Sequence, residues 1–148
     1  MPRPVPDLPE FLTGRWELRR RITDPAGRLL GTFTGHGCFT AAEAGWLDYR
    51  ERGELRLGEH EGPASRHLRY ELTGPGQARV HFGYGGFFHD LDLRPGRCRA
   101  EHPCRADRYR GEFEVVDADR WWQRWTVTGP AKDHVLTTWL HRCPHDES

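Results

Sequence analysis

The sequence lacks any excess of charge, any long apolar run and nearly all lysine. Of its 148 residues, 22 are basic and 22 acidic, so the formal net charge is zero. A balanced chain offers little electrostatic grip on nucleic acid or an acidic lipid surface, and neither partner is expected. No stretch approaches the ~20 apolar residues that span a bilayer. The opening Met1-Pro-Arg-Pro-Val-Pro6 has no apolar core of the signal-peptide kind, so the expected location is cytoplasmic. Lys132 is the single lysine among the basic residues. That skew towards arginine reads as the codon usage of a GC-rich genome. Also missing are a phosphate loop, a dinucleotide-binding Gly-x-Gly-x-x-Gly, a Gly-x-Ser-x-Gly elbow and His-Glu-x-x-His, which argues against nucleotide-driven chemistry and serine hydrolysis. Cys38, Cys98, Cys104 and Cys143 form no Cys-x-x-Cys. Cys98 and Cys104 fall in one expected strand, about 20 Å apart at ~3.3 Å per residue. That is too far for a disulfide, so reduced thiols are expected.

What the chain does have is turn chemistry at regular intervals. Asp24-Pro-Ala-Gly27, Gly74-Pro-Gly76, Gly83-Tyr-Gly-Gly86, Arg94-Pro-Gly-Arg97, Asp117-Ala-Asp-Arg120 and Gly129-Pro-Ala-Lys-Asp133 punctuate alternating segments. Such spacing marks an all-β sandwich or barrel. Residues 1–9 read as a proline-rich arm, with a short helical turn through Leu8-Pro-Glu-Phe-Leu12, residues 10–143 as one β-barrel domain and 144–148 as a tail.

The alternation sorts two faces. Trp16, Leu18, Arg20 and Ile22 share one; Leu47, Tyr49, Glu51, Leu55 and Leu57 share another; Leu68, Tyr70 and Leu72 take Arg66 into their row. Ala78, Val80 and Phe82 follow, then Phe87, His89, Leu91 and Leu93, then Cys98, Ala100, His102 and Cys104. Asp107, Tyr109, Gly111, Phe113 and Val115 face one way, as do Trp121, Gln123, Trp125 and Val127. The last segment, 134–142, fits either parity. No amphipathic helix is available to cover the apolar side, so the sheet must close on itself. The expectation is an up-and-down antiparallel barrel of about ten strands.

Gly14-Arg15-Trp16 opens the first strand and Arg142 ends the last. The pair resembles the calycin pattern of lipocalins and fatty-acid-binding proteins, in which a guanidinium covers the indole at one closed barrel end. The resemblance implies that Trp16 and Arg142 are scaffold. Phe11-Leu-Thr-Gly-Arg-Trp16, Tyr49-Arg-Glu-Arg-Gly53, Phe88-His-Asp-Leu-Asp-Leu93, His102-Pro-Cys-Arg-Ala-Asp-Arg-Tyr109 and Trp125-Thr-Val-Thr-Gly-Pro-Ala-Lys-Asp133 resemble a bacterial family of unknown function with lipocalin-like features. That resemblance implies the barrel and no substrate.

Parity turns Arg20, Glu51, Arg66, Tyr70, His89, His102, Asp107, Tyr109 and Gln123 inward, and Arg142 on one of the two registers of the last strand. Charges are seldom buried without partners, so this set either pairs internally or lines a cavity for a polar ligand. If Arg94-Pro-Gly-Arg97 is a four-residue loop, Leu93 faces Cys98, Leu91 faces Ala100, His89 faces His102 and Phe87 faces Cys104. Opposed Cβ atoms then lie about 5 Å apart. Three readings of the histidine pair follow. One is a hydrogen-bonding or acid–base pair in a ligand pocket. Another is a zinc site of His89, His102 and Cys104, with Asp107 as ligand or support. The last is structural, two satisfied rings in a core. Haem would need one of His89, His102, His134 or His141, and a charged interior suits it poorly.

The leading functional expectation is binding of a small organic molecule with a polar or acidic end. Arg20 and Arg66, with Tyr70 and Tyr109, hold that end. Phe33, Tyr49, Phe87 and Trp125 take the apolar body; His89, His102, Glu51 and Gln123 add directional contacts. The alternative is a small barrel enzyme (isomerase, decarboxylase or hydrolase, with or without a metal) using His89 and His102 as acid and base, Asp107 to orient one of them, and Tyr109 or an arginine to stabilise charge. A third class is a partner-binding protein presenting Trp122 and Trp139 outward, with a monomer or homodimer as the expected state. Asp90, Asp92, His60, His67, His81 and His145 read as surface residues; Lys132, on a loop at one mouth, reads either as a surface lysine or as a cation that reaches the opening and attracts an anion.

Overall fold

A computed structural model describes residues 1–144; His145 and the rest of the tail lie outside the described residues. A short helix α1 (Leu8–Leu12) precedes β1 (Gly14–Thr23), β2 (Leu29–Ala41), β3 (Trp46–Leu57), β4 (His60–Gly74) and β5 (Gln77–Phe82). Then follow β6 (Phe87–Asp92), β7 (Arg97–Cys104), β8 (Asp107–Asp117), β9 (Arg120–Thr128) and β10 (Asp133–Arg142). All neighbours are antiparallel, in the order β6-β5-β4-β3-β2-β1-β10-β9-β8-β7, and the sheet curls into a nearly closed barrel. No helix is long and apolar enough to cross a membrane among the described residues. The four cysteines are free.

One end is closed as the Gly-x-Trp and terminal-Arg pairing implied. Trp16 pairs with Arg142 across β1 and β10, and the guanidinium lies 4.3 Å from the indole centre. Arg142 also donates to the carbonyls of Phe11 (2.7 Å) and Ala118 (2.8 Å), tying α1 to the β8–β9 turn. The Trp16 indole N–H donates to the Leu12 carbonyl at 2.8 Å, satisfying the helix end. Asp7 caps the start of α1 by accepting from the Glu10 amide. The proline-rich arm is also tied down. Arg3 donates to Val115, Val5 to Leu93 and Leu8 to Pro75 through backbone amides, while Val5 and Leu8 bury their side chains.

β10 resolves its ambiguous parity. Thr138 and Leu140 are buried and Trp139 is 50% exposed, so the inner row is Leu136, Thr138, Leu140 and Arg142. His141 therefore faces out.

The expected β6–β7 hairpin does not form a ladder. β6 and β7 are the two ends of the sheet order, and every ladder partner of β7 is in β8, so His102 faces Tyr109 rather than His89. The arm explains part of this. Where a β6–β7 ladder would begin, the Leu93 carbonyl already accepts from Val5 and the Gly96 turn amide, and the Leu93 amide donates to Gly76. The Asp92 amide meets the Cys98 thiol at 3.4 Å instead of a strand carbonyl. Pro103 in β7 and Pro63 in β4 both sit on stretches with a ladder on one side only, where a residue without an N–H is tolerated.

Phe87 is a second correction. A bulge between Val80 and His81 pairs Val80 with His89 but His81 with Phe87. The extra residue, Phe88, takes the inward place, and Phe87 turns out to 47% exposure. A strict two-residue period cannot anticipate that slip.

Candidate functional site

β5 and β6 are short, so the wall between β4 and the β7–β8 hairpin is low at the end opposite the Trp16 plug. A cavity of about 690 Å³ opens there. Arg20, Glu51 and Arg66 line its polar side; Ile22, Phe33, Leu55 and Leu136 line its apolar side; Lys132, Asp133 and His134 stand on the β9–β10 lip. Leu30 and Leu57, partly exposed, extend the apolar rim.

The polar side has an asymmetry. Glu51 is only 4% exposed. Arg20 clasps it with two bonds, Nη1 to Oε2 at 2.9 Å and Nη2 to Oε1 at 3.1 Å. Arg20 Nε donates to Thr138 Oγ1 at 2.7 Å, and the guanidinium lies 5.0 Å from the Phe33 ring centre. Tyr49 Oη donates to Glu51 Oε1 at 2.8 Å. The Tyr49 ring can reach that place because it lies over Gly37, where a Cβ would stand 2.6 Å from the hydroxyl. Arg66, the cross-strand partner of Glu51, gives it a single long bond of 3.4 Å. Its buried Nε has no partner among the described residues. Burial alone would raise the Glu51 carboxyl; the Arg66 charge and the Arg20 hydrogen bonds outweigh it and hold the group at about 2. Two guanidinia thus share one carboxylate. Each Arg20 nitrogen has a partner, whereas Arg66 gives a single long bond.

The remaining expected site residues separate into two groups. Tyr70 is sealed in the core against Phe39 (5.1 Å) and Tyr49 (6.3 Å), and burial raises its phenol well above its ordinary value. His89, 3% exposed, packs in an aromatic box of Phe88, Phe113 and Trp125 at 4.7, 5.3 and 5.1 Å. His102 touches the same Phe88 ring at 5.4 Å and Tyr109 at 5.9 Å. Trp125 closes the box, its ring lying over Gly111. At the rim, Asp107 approaches Lys132 at 3.7 Å, with Tyr109 beside the same ammonium. Gln123 is half-buried on β9 opposite Thr138, outside the cavity lining. Cys104 is exposed at the β7–β8 turn. His89, His102 and Cys104 therefore do not converge, and no cluster of three or more His, Cys, Asp or Glu with metal-binding geometry occurs among the described residues. Ser65 lines the cavity although nothing in the sequence marked it; Lys132, read from the sequence both as a surface lysine and as a cation at the opening, lines it too.

His89 donates from Nδ1 to its neighbour's carbonyl, Asp90 O, at 2.9 Å, which leaves the lone pair on Nε2. Burial lowers this imidazole from 6.5 to about 4, against a smaller opposing effect of the Asp90 carbonyl. The unfolded chain binds this proton and the folded chain does not between those values. His89 thus makes stability fall as pH drops from about 6.5 to 4, with a slope of up to about 1.4 kcal/mol per pH unit. Urea melts at pH 7 and 5 test this. His89→Phe should lose distinctly less stability than wild type over that interval, and equal losses would remove the assignment.

Residues 12–142 match the Family of unknown function (DUF6314). The chain belongs to DUF6314. The match runs from the end of α1 to the closing Arg142, the whole barrel of this DUF6314 chain. Comparison with curated protein sequences gives no match. Among solved structures, the DUF6314 barrel is similar to the S-type phycobiliprotein lyase CPES from Guillardia theta (TM-score 0.64, 11% identity, 93% of this chain and 91% of that one). It is also similar to a protein of unknown function from the DUF3598 family of Nostoc punctiforme (TM-score 0.62, 13% identity, 96% of this chain and 51% of that one). A third similar structure is EF1p2_mFAP2b bound to DFHBI (TM-score 0.52, 14% identity, 94% and 99%). At these identities the likeness is one of fold.

Proposed function

We propose that this protein binds a small organic anion in the mouth cavity, with the acidic end on Arg66 and the apolar body against Phe33, Leu55 and Leu136. The observation that carries the reading is the weakly matched Arg66 guanidinium: it lines the cavity 38% exposed and gives one long bond to a carboxylate already claimed by Arg20, and its Nε has no partner among the described residues. A carboxylate or phosphate oxygen arriving from the cavity supplies this part-exposed guanidinium with a charge-assisted partner. The cavity size lies in the range of small-molecule pockets. That a barrel of similar fold is seen bound to DFHBI supports the fold's capacity to hold a small molecule. Lys132 on the lip adds a second cation, partly neutralised by Asp107.

The acid–base alternative has less support. His89 lies in a closed aromatic box, neutral at pH 7, and Asp107 is ion-paired at the Lys132 rim; only His102 and Tyr109 of the four are ladder partners.

Two measurements test the binding reading. Native mass spectrometry of the purified chain reads out any retained anion. Titration calorimetry with octanoate reads out the site itself. Arg66→Met should weaken octanoate at least about tenfold, the effect of one charge-assisted contact, while Lys132→Met weakens it less. Equal affinity of wild type and Arg66→Met would end the proposal.

A further inference from the structure

Four aromatic rings form one column that starts in solvent and ends in the core. Tyr84, 85% exposed on the β5–β6 loop, stacks on Phe82 at 5.3 Å and 7°. Phe82 stacks on Phe88 at 4.5 Å and 15°, and Phe88 on Trp125 at 4.9 Å and 22°. His89 and His102 meet the Phe88 ring edge-on, both at 83°. The three near-parallel steps are offset stacks, a preferred aromatic geometry, and they align four flat faces along one line. Phe88 also lies where the ladder is irregular. It is the extra residue of the β5–β6 bulge, on the strand whose other side has no ladder. Arg66 stands on the same inner row as Leu68, the direct partner of Phe82, one two-residue step, or about 7 Å, towards the mouth.

We infer that Phe88 occupies the place of a ligand's flat ring: an aromatic carboxylate displaces it, lies between Phe82 and Trp125, and sets its carboxylate on Arg66. The ring of Phe88 leaves through the seam between β6 and β7. The edges of the incoming ring then face His89 and His102, which select planar, conjugated molecules carrying a polar edge. This specificity rests on the mouth-cavity reading above and adds a shape requirement to it.

The test compares two carboxylates of equal charge and carbon number but different shape, 2-naphthoate and adamantane-1-carboxylate, by titration calorimetry on the full chain. Wild type should bind the flat 2-naphthoate about tenfold tighter or more, a modest stacking preference in free-energy terms. Phe88→Leu should raise 2-naphthoate affinity severalfold, because no ring has to be displaced, and leave adamantane-1-carboxylate unchanged. Arg66→Met should weaken both. Should Phe88→Leu fail to fold, the wild-type affinity ratio still decides. Equal binding of both probes overturns the column as a ligand site and leaves the mouth cavity standing. Failure of both probes to bind wild type overturns the cavity reading and the column with it.

Discussion

Glu51→Ala should lower the folding free energy by about 3–5 kcal/mol, the cost of removing one partner from a buried ion pair. The substitution deletes the carboxylate that Arg20 and Arg66 share and leaves the Tyr49 hydroxyl without its acceptor. Arg20 is confined by the Phe33 ring and the Thr138 hydroxyl, so it cannot swing out to water without repacking. Denaturant unfolding at pH 7 measures the loss. The account rests on charge isolation rather than lost volume, and a double substitution separates them. Glu51→Leu combined with Arg20→Met removes the buried pair, leaves the part-exposed Arg66 to water and should recover most of the stability; a double variant as unstable as Glu51→Ala would sink the charge explanation. The same group sets an acid limit. Its folded value of about 2 lies below the ordinary 4.5. Its stabilisation is therefore complete above pH 4.5 and is lost as pH falls towards 2. This window lies below that of His89, so acid should unfold the barrel progressively, first through the aromatic box and then through the arginine clasp.

Trp16→Ala should cost about 3–5 kcal/mol, as large-to-small changes of buried aromatics do. The indole is fully buried. It contacts Phe11 at 5.5 Å and Trp121 at 6.3 Å, with Arg142 over its face. Its loss opens a cavity beneath a guanidinium whose hydrogen bonds hold α1 and the β8–β9 turn together. Arg142→Met should therefore cost less than Trp16→Ala, and the two losses should not be additive, since both act through one plug. A Trp16→Ala protein within 1 kcal/mol of wild type, or strictly additive losses, would show that this end is not a cooperative closure.

Much of this architecture was legible in the alternation. The rows through Trp16, through Leu47 and Tyr49, and through Phe113 and Val115 are the buried rows of the barrel. Glu51, the residue that most violated its apolar row, is the centre of the polar cluster. Other features were not legible. Phe87 and Phe88 differ in nothing that periodicity reads, yet a single bulge exchanges their faces. His89 and His102 do approach one ring, but through Phe88 and across an unladdered seam rather than as ladder partners. Tyr70 lies on an inward row as read, and that row lies in solid core at its height in the barrel.

Side chains alternate faces along a strand, so the amino-acid order alone determined the strands and most of their faces; the Trp16–Arg142 closure was implied by a resemblance, and the face of β10 was decided by the structure. Where a ladder stops, which arginine the carboxylate satisfies, and which inward residues meet empty space depend on backbone groups brought together from distant parts of the chain. The arm that takes the Leu93 carbonyl and the short β5–β6 pair that lowers the wall exist only once the barrel has closed. Tertiary structure alone therefore decided that Arg66, among many arginines, lines the cavity with a single long bond to Glu51.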